Sequence, residues 1–227
     1  MKTLPIPTHH VRFAGGLYLV IILCGVGSEV ALRGPLIDYG SAQETAGAIG
    51  EQMLRFRLSI VADIVMALAD AALAVLLFWL FRPVSAGLAL GALVFRLLQS
   101  GLIAAGLLNL QAAVLILQSG EVADIADLAM TFIGLHAYGY DLGLIFFAVN
   151  CLLMAVLMLR SGFVPRLLGL GIGLSGLVYL SGSAVRFVVP DMHAFVAPAY
   201  AVPLVAETAF CLWLLVLPGR RGRNATV

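Results

Sequence analysis

Met53–Phe81 reads MLRFRLSIVADIVMALADAALAVLLFWLF, a run without proline or glycine whose ionisable side chains are Arg55, Arg57, Asp63 and Asp70. Taken with the two residues before it, the pattern over 51–81 predicts one helix of about 46 Å at 1.5 Å per residue, longer than the roughly 30 Å hydrocarbon core of a bilayer. A helix apolar on every side is buried in a large core or in lipid. The rest of the chain decides between these. Of 227 residues (24.0 kDa), 62% are hydrophobic and 11% charged, with mean hydropathy +1.07. Ordinary globular domains carry about a quarter charged residues, so the expected solvent is lipid and the fold class is an all-α, polytopic integral membrane protein. Net charge +1 and scattered basic residues predict no nucleic-acid partner.

Working outward from that run, six stretches have the length of a span: about 12–32, 53–81, 85–108, 138–160, 166–188 and 198–217, in a single domain of 1–227. The third extends in pattern through Asn109 and Gln111 to Gln118. Lys2 and Arg12 before the first apolar core resemble a signal peptide, and Cys24 suggests a lipoprotein site. Leu23 is too large for a lipobox and five spans follow, so cleavage is not expected. After Gly120, acids Glu121, Asp124 and Asp127 oppose Val122, Ile125, Ala126, Ala129 and Ile133, which predicts an extra amphipathic helix at the outer interface. Pro83 and Pro165 mark tight turns, and Pro190 with Pro198 brackets a loop containing Asp191 and His193.

Orientation follows the Lys and Arg distribution. With both termini cytoplasmic, the inner segments carry Lys2, Arg12, Arg82, Arg160, Arg166, Arg220, Arg221 and Arg223 and no acid, residues 218–227 forming a basic tail. Arg33, Arg55 and Arg57, placed at the outer surface, oppose this. Eight against three favours both ends cytoplasmic.

Ionisable residues within spans are costly and mark sites by default. Seven qualify: Glu29, Asp63, Asp70, Arg96, Asp141, Arg186 and Glu207. Counting from the inner turns puts Asp70, Arg96, Asn150 and Glu207 at mid-depth, and Glu29, Asp63, Asp141 and Arg186 nearer the outside, with His136, Tyr138 and Tyr140 just above. Asp70 and Arg96 fall at one height in an antiparallel hairpin. Five carboxylates thus face two arginines and three acids lack a partner. Such acids take a proton, bind a cation or stay wet, and each option requires a polar cavity. The opposing reading makes Asp70–Arg96 and Asp141–Arg186 interhelical ties that fix register, with Glu29 and Glu207 satisfied by hydroxyls or backbone.

Other constellations carry less. His136 and His193 lack zinc-ligand spacing, no facing pair of histidines suits a haem, and GxSxG, HExxH and P-loop motifs are missing, so neither metal nor cofactor is expected. Cys24, Cys151 and Cys211 read as buried small hydrophobes. Gly169, Gly171, Gly173 and Gly176 form a small-residue face for helix packing. Tyr18, Trp79 and Trp213 read as lipid-facing or interface aromatics.

Several runs add up to a known pattern: Phe13-Ala14-Gly15-Gly16-Leu17-Tyr18-Leu19 ahead of Glu29, the Asp63 and Asp70 pair, Phe95-Arg96-Leu97, His136-Ala137-Tyr138-Gly139-Tyr140, Ser161-Gly162-Phe163-Val164-Pro165-Arg166, and Glu207 ahead of Phe210-Cys211-Leu212-Trp213-Leu214. Over nearly its whole length the chain resembles the uncharacterised bacterial membrane family known as domain of unknown function 4386. The resemblance implies a single-domain, multi-span protein and brings no activity. Three functions stay open: a proton- or cation-linked transporter or ligand-binding protein for a small polar or cationic solute, for which six short helices suggest a homodimer; an intramembrane enzyme on a lipid or isoprenoid, with Asp141 or Glu207 as base; and a structural or sensory membrane partner.

Overall fold

The computed structural model describes residues 4–120 and 124–216, and within them the chain is helical with no strand. The helices are α1 (Thr8–Val26), α2 (Ala42–Glu51), α3 (Met53–Phe81), α4 (Ala86–Ser119), α5 (Ile125–Ser161), α6 (Arg166–Val188), the single turn α7 (His193–Val196) and α8 (Ala201–Val216). Six segments are long and apolar enough to cross a membrane: Thr8–Leu36, Met53–Phe81, Ala86–Ser119, Ile125–Ser161, Arg166–Val188 and Pro190–Val216. Each long helix packs on the next, α1 on α3, α3 on α4, α4 on α5, α5 on α6 and α6 on α8, and α8 returns to α1. The result is a closed ring of six rods running alternately up and down. Leu54, Leu68, Leu108, Leu167 and Val205 are among the large apolar side chains left exposed on its outside, the surface a lipid solvent would cover.

The two ends of the ring differ. At the turn end, Gly162 ends α5 in the left-handed region at φ 70°, Ser161 Oγ accepts from the Val164 N–H at 3.2 Å, and Phe163 stacks at 5.6 Å on Phe81. Val11, Leu80, Leu157 and Met158 complete a dry plug there. The other, capped end carries α2. Ser41 caps that helix by accepting from the Glu44 N–H at 3.2 Å, the S-x-x-E arrangement of a helix start. Asp38 holds Thr45 through two hydrogen bonds of 2.8 and 2.9 Å. Ile49 then joins Leu36, Phe56, Leu110 and Ile133 in a second core, so α2 braces α3, α4 and α5 where these reach past the rest.

The amphipathic helix expected from 121 onward is not a separate element. Glu121 and Val122 lie outside the described residues; Asp124 precedes α5 at φ 60°, and from Ile125 one helix continues through His136 to Ser161. Nothing in 125–138 breaks the backbone hydrogen-bond pattern, so Asp127 simply occupies the exposed first turn of a 37-residue helix. The short helix at this end is Ala42–Glu51 instead.

The first span changes winding as it nears the capped end. Gly27–Arg33 is a π-helical segment, closed by the Gly34 N–H donating to the Glu29 carbonyl. A Cβ on Gly34 would run into that same carbonyl oxygen, which is why glycine stands there. The winding has a consequence for side chains. Residues five apart are separated by about 140° around an α-helix of 3.6 residues per turn, but by only about 50° around a π-helix of roughly 4.4. Ser28 and Arg33 therefore point the same way, and both are buried.

Candidate functional site

The ring encloses two adjoining voids, an inner one of about 410 Å³ and one toward the capped end of about 590 Å³, which share Gly25, Glu29, Tyr140, Leu144 and Tyr200 among their linings. The polar side chains are arranged around them at two depths.

At the inner level α3 and α4 supply a saturated pair. Asp70 Oδ1 accepts from Arg96 Nε at 2.8 Å and Nη2 at 2.5 Å, and Oδ2 accepts from Ser100 Oγ at 2.5 Å. The guanidinium lies 5.4 Å from the Tyr18 ring centroid and 5.1 Å from that of Phe147, a cation between two aromatic faces. Opposite, Glu207 on α8 has no arginine within ion-pair distance. Its Oε2 accepts from Tyr18 at 3.0 Å and its Oε1 from Tyr179 at 2.6 Å.

Nearer the capped end, the π segment delivers Ser28 and Arg33 to one acid on α3. Ser28 Oγ donates to Asp63 Oδ1, Arg33 Nη1 to Asp63 Oδ2 at 2.7 Å, and Arg33 Nη2 to Glu29 Oε2 at 2.7 Å. Asp63 is sealed, whereas the Glu29 side chain is 60% exposed. Across the void, Asp141 pairs with Arg186 and accepts from Ser183 Oγ at 3.0 Å.

The sequence count of three unpartnered acids needs correction. Arg33, placed by the sequence reading at the outer surface, is 4% exposed and shared between Asp63 and Glu29, so five carboxylates face three guanidiniums and, of these five, Glu207 is the one with no ion pair among the described residues. The i, i+4 spacing of Glu29 and Arg33 carries that signal; the π turn that aims the pair inward has none so plain. Tyr18 and Trp213 are also not lipid-facing: Tyr18 is 2% exposed beneath Arg96, and Trp213 stacks in the core on Phe210. Tyr18 lies ten residues from the start of α1 and Glu207 nine from the end of α8, a match of depth visible in the sequence once the spans are drawn.

The remaining candidates separate. His136 lines the void toward the capped end and its Nδ1 lies 3.2 Å from the Gly106 carbonyl. Tyr138 is turned outward, between Phe187 and the Arg186 guanidinium. Asn150 is buried on the turn-end side of Arg96, beside a void of about 10 Å³, apart from the larger cavities. Tyr140, Tyr179, Tyr200, Gln99 and Ser100 join the lining, and aromatic or hydroxyl residues in apolar spans give little warning of it. Among the described residues no three His, Cys, Asp or Glu side chains cluster to hold a metal ion.

The family profile described as a domain of unknown function, DUF4386, matches residues 13–217. An uncharacterized protein of Archaeoglobus fulgidus is 27% identical over 168 residues, which cover 72% of this chain and 85% of the relative. No solved structure matches.

Proposed function

The chain belongs to the DUF4386 family, and since that family supplies no activity we propose from the geometry that it is a membrane ligand-binding or transport protein, linked to protons or cations, for a small polar or cationic solute. The observation that carries this reading is Glu207: an acid with no ion-pair partner among the described residues, in the wall of a void of about 410 Å³ that adjoins a larger one toward the capped end. Five acids against three guanidiniums leave the interior an acidic excess, which is met by a proton or by a cation. Arg33, Arg96 and Arg186 fix four of the acids, and Glu207 is the acceptor free to exchange partners. No observation favours lipid or isoprenoid chemistry: Ser183 is committed to Asp141, and the His136 ring to the Gly106 carbonyl.

We place the protein in the bacterial cytoplasmic membrane with the turn end inside. Support comes from exposed Arg12, Arg82, Arg160 and Arg166 at that end, against Asp38, Glu44, Glu51, Asp127 and Asp191 at the other. Turning Arg33 inward removes one of three opposing charges. A single cysteine at Ser41 is expected to react with a membrane-impermeant maleimide on intact cells, and one at Ser85 only after permeabilisation; the reverse pattern overturns this orientation. For the activity, protein reconstituted in liposomes with a trapped pH dye is expected to admit protons under an inside-negative potential. The rate should fall to that of empty liposomes in Glu207→Gln. Wild-type flux equal to empty liposomes, or an unimpaired variant, overturns the reading.

A further inference from the structure

Near the turn end α1 and α8 are in direct contact. The Cys211 thiol lies 3.4 Å from the Gly15 carbonyl, and a Cβ at Gly15 would fall 2.8 Å from the Leu215 backbone nitrogen. Past Tyr18 and Glu207 the same two helices both line the inner void, α1 with Ile22 and Val26 and α8 with Leu204, Tyr200 lying in the turn just before α8. Three lining residues are also large exposed hydrophobics on the outside of the ring: Val26 at 43%, Val30 at 69% and Leu204 at 49%. They form the rim of a side opening. Leu204 is twelve residues above the last described residue of α8, about 18 Å at 1.5 Å per residue, so the opening faces the hydrocarbon depth of a bilayer.

Behind this apolar rim the void turns polar in one sense. The Arg96 guanidinium that shares this wall is paired with Asp70, Glu207 has no ion-pair partner among the described residues, and Gln99 Oε1 and the Tyr200 hydroxyl are buried with no hydrogen-bond partner among them. Buried polar atoms are nearly always satisfied. The wall between them is aromatic, with ring centroids of Phe147 and Tyr179 at 5.4 Å and of Tyr179 and Tyr200 at 5.9 Å. An acid outside any ion pair, free acceptors and rings packed at steep angles behind a greasy entrance describe the complement of one ligand class. Anions are refused by Glu207, neutral lipids leave it uncompensated, and a bare metal ion lacks a ligand set among the described residues.

We infer that the inner void binds a hydrophobic amine in its ammonium form, admitted sideways from the membrane between α1 and α8. This rests on the reading of the ring as a membrane-embedded cavity and names its ligand class. The cation sits against Glu207 and the aromatic wall, its N–H groups donate to Gln99 and Tyr200, and its apolar body trails past Leu204. A void of about 410 Å³ suits a compact drug-sized molecule.

The test is equilibrium dialysis of the full chain in phosphatidylcholine nanodiscs against 1-naphthylmethylamine and its uncharged isostere 1-naphthalenemethanol, with protein-free nanodiscs as background. Saturable amine binding is expected, at least tenfold tighter than the alcohol. Glu207→Gln should weaken the amine at least tenfold and erase the preference. Leu204→Trp, at a half-exposed rim position, should slow amine uptake several-fold, followed by naphthyl fluorescence after stopped-flow mixing, while leaving the melting temperature unchanged. Binding no greater than background, equal binding of amine and alcohol, or an unaffected Glu207→Gln overturns the site; an unaffected Leu204→Trp overturns the lateral entrance. Should wild-type protein move protons in liposomes yet bind no amine, the ligand assignment falls alone and the transport reading stands.

Discussion

Two carboxylates at one depth, on opposite walls of the ring, are held in opposite ways. Asp70 is enclosed by a guanidinium, a serine hydroxyl and the aromatic faces that flank Arg96, all within the α3–α4 seam and its neighbours. Glu207 is held by two phenols from helices on either side of it, α1 and α6, and faces a void. On the proposed reading, the difference separates a charge that ties helices together from a charge kept for exchange. Charge matched by charge stabilises; charge matched by neutral dipoles is retained at a cost, which selection tolerates where the acid is used.

Thermal stability in maltoside micelles can break that comparison. Arg96→Gln strands Asp70 in an apolar seam and is expected to cost about 3–5 kcal/mol, the largest effect here, while Asp70→Asn combined with Arg96→Gln recovers a substantial part of it. Equal losses in the single and double variants would mean the pair does not act as a tie. Gly34→Ala presses a methyl group on the Glu29 carbonyl and disturbs the π segment, for about 1–3 kcal/mol, the usual cost of overpacking. Restored stability on adding Arg33→Gln would trace that loss to the shared arginine. Tyr179→Phe removes one hydrogen bond to Glu207 and should cost about 1.5–3 kcal/mol at most, the range for bonds to charged groups. Glu207→Gln removes an uncompensated charge, and its melting temperature is expected to stay level or rise. A fall as large as that of Arg96→Gln would place Glu207 among the ties and erase the contrast. Smallest of all, Leu167→Ala on the outer surface should change stability by less than about 0.5 kcal/mol.

How much of this the sequence discloses depends on whether a feature is set by length and polarity or by rotation. The helix over Arg166–Val188 has the bounds its hydropathy predicts, and the 53–81 rod likewise, because the length of the apolar run and the turn residues that flank it decide both. Depth was readable too: Asp70 and Arg96 meet at the level that counting from Arg82 and Pro83 assigns them. Rotation was not. Arg33 belongs to the interior only because seven residues are wound as a π-helix, and nothing in GSEVALR separates that winding from an α-helical one. Tyr18 was misread for a similar reason, since an aromatic six residues from a span's edge suits an interface or a core equally until its neighbours are known. The extra helix was misplaced because acids spaced by three around Asp124 and Asp127 describe a first turn as well as a free amphipathic element.

The contact between α1 and α8 joins residues about two hundred positions apart, while every other seam of the ring joins neighbours in the chain. Helical hairpins of such a protein can form one after another as synthesis proceeds, but this last junction waits for the final rod. Until then Tyr18 has no Glu207 to meet, and Asp70 with Arg96 lines an open trough in place of an enclosed chamber. The inner void is therefore completed in one step, with the last sixteen-residue helix, and a truncated product would retain the Asp70–Arg96 tie while lacking that void's closing wall.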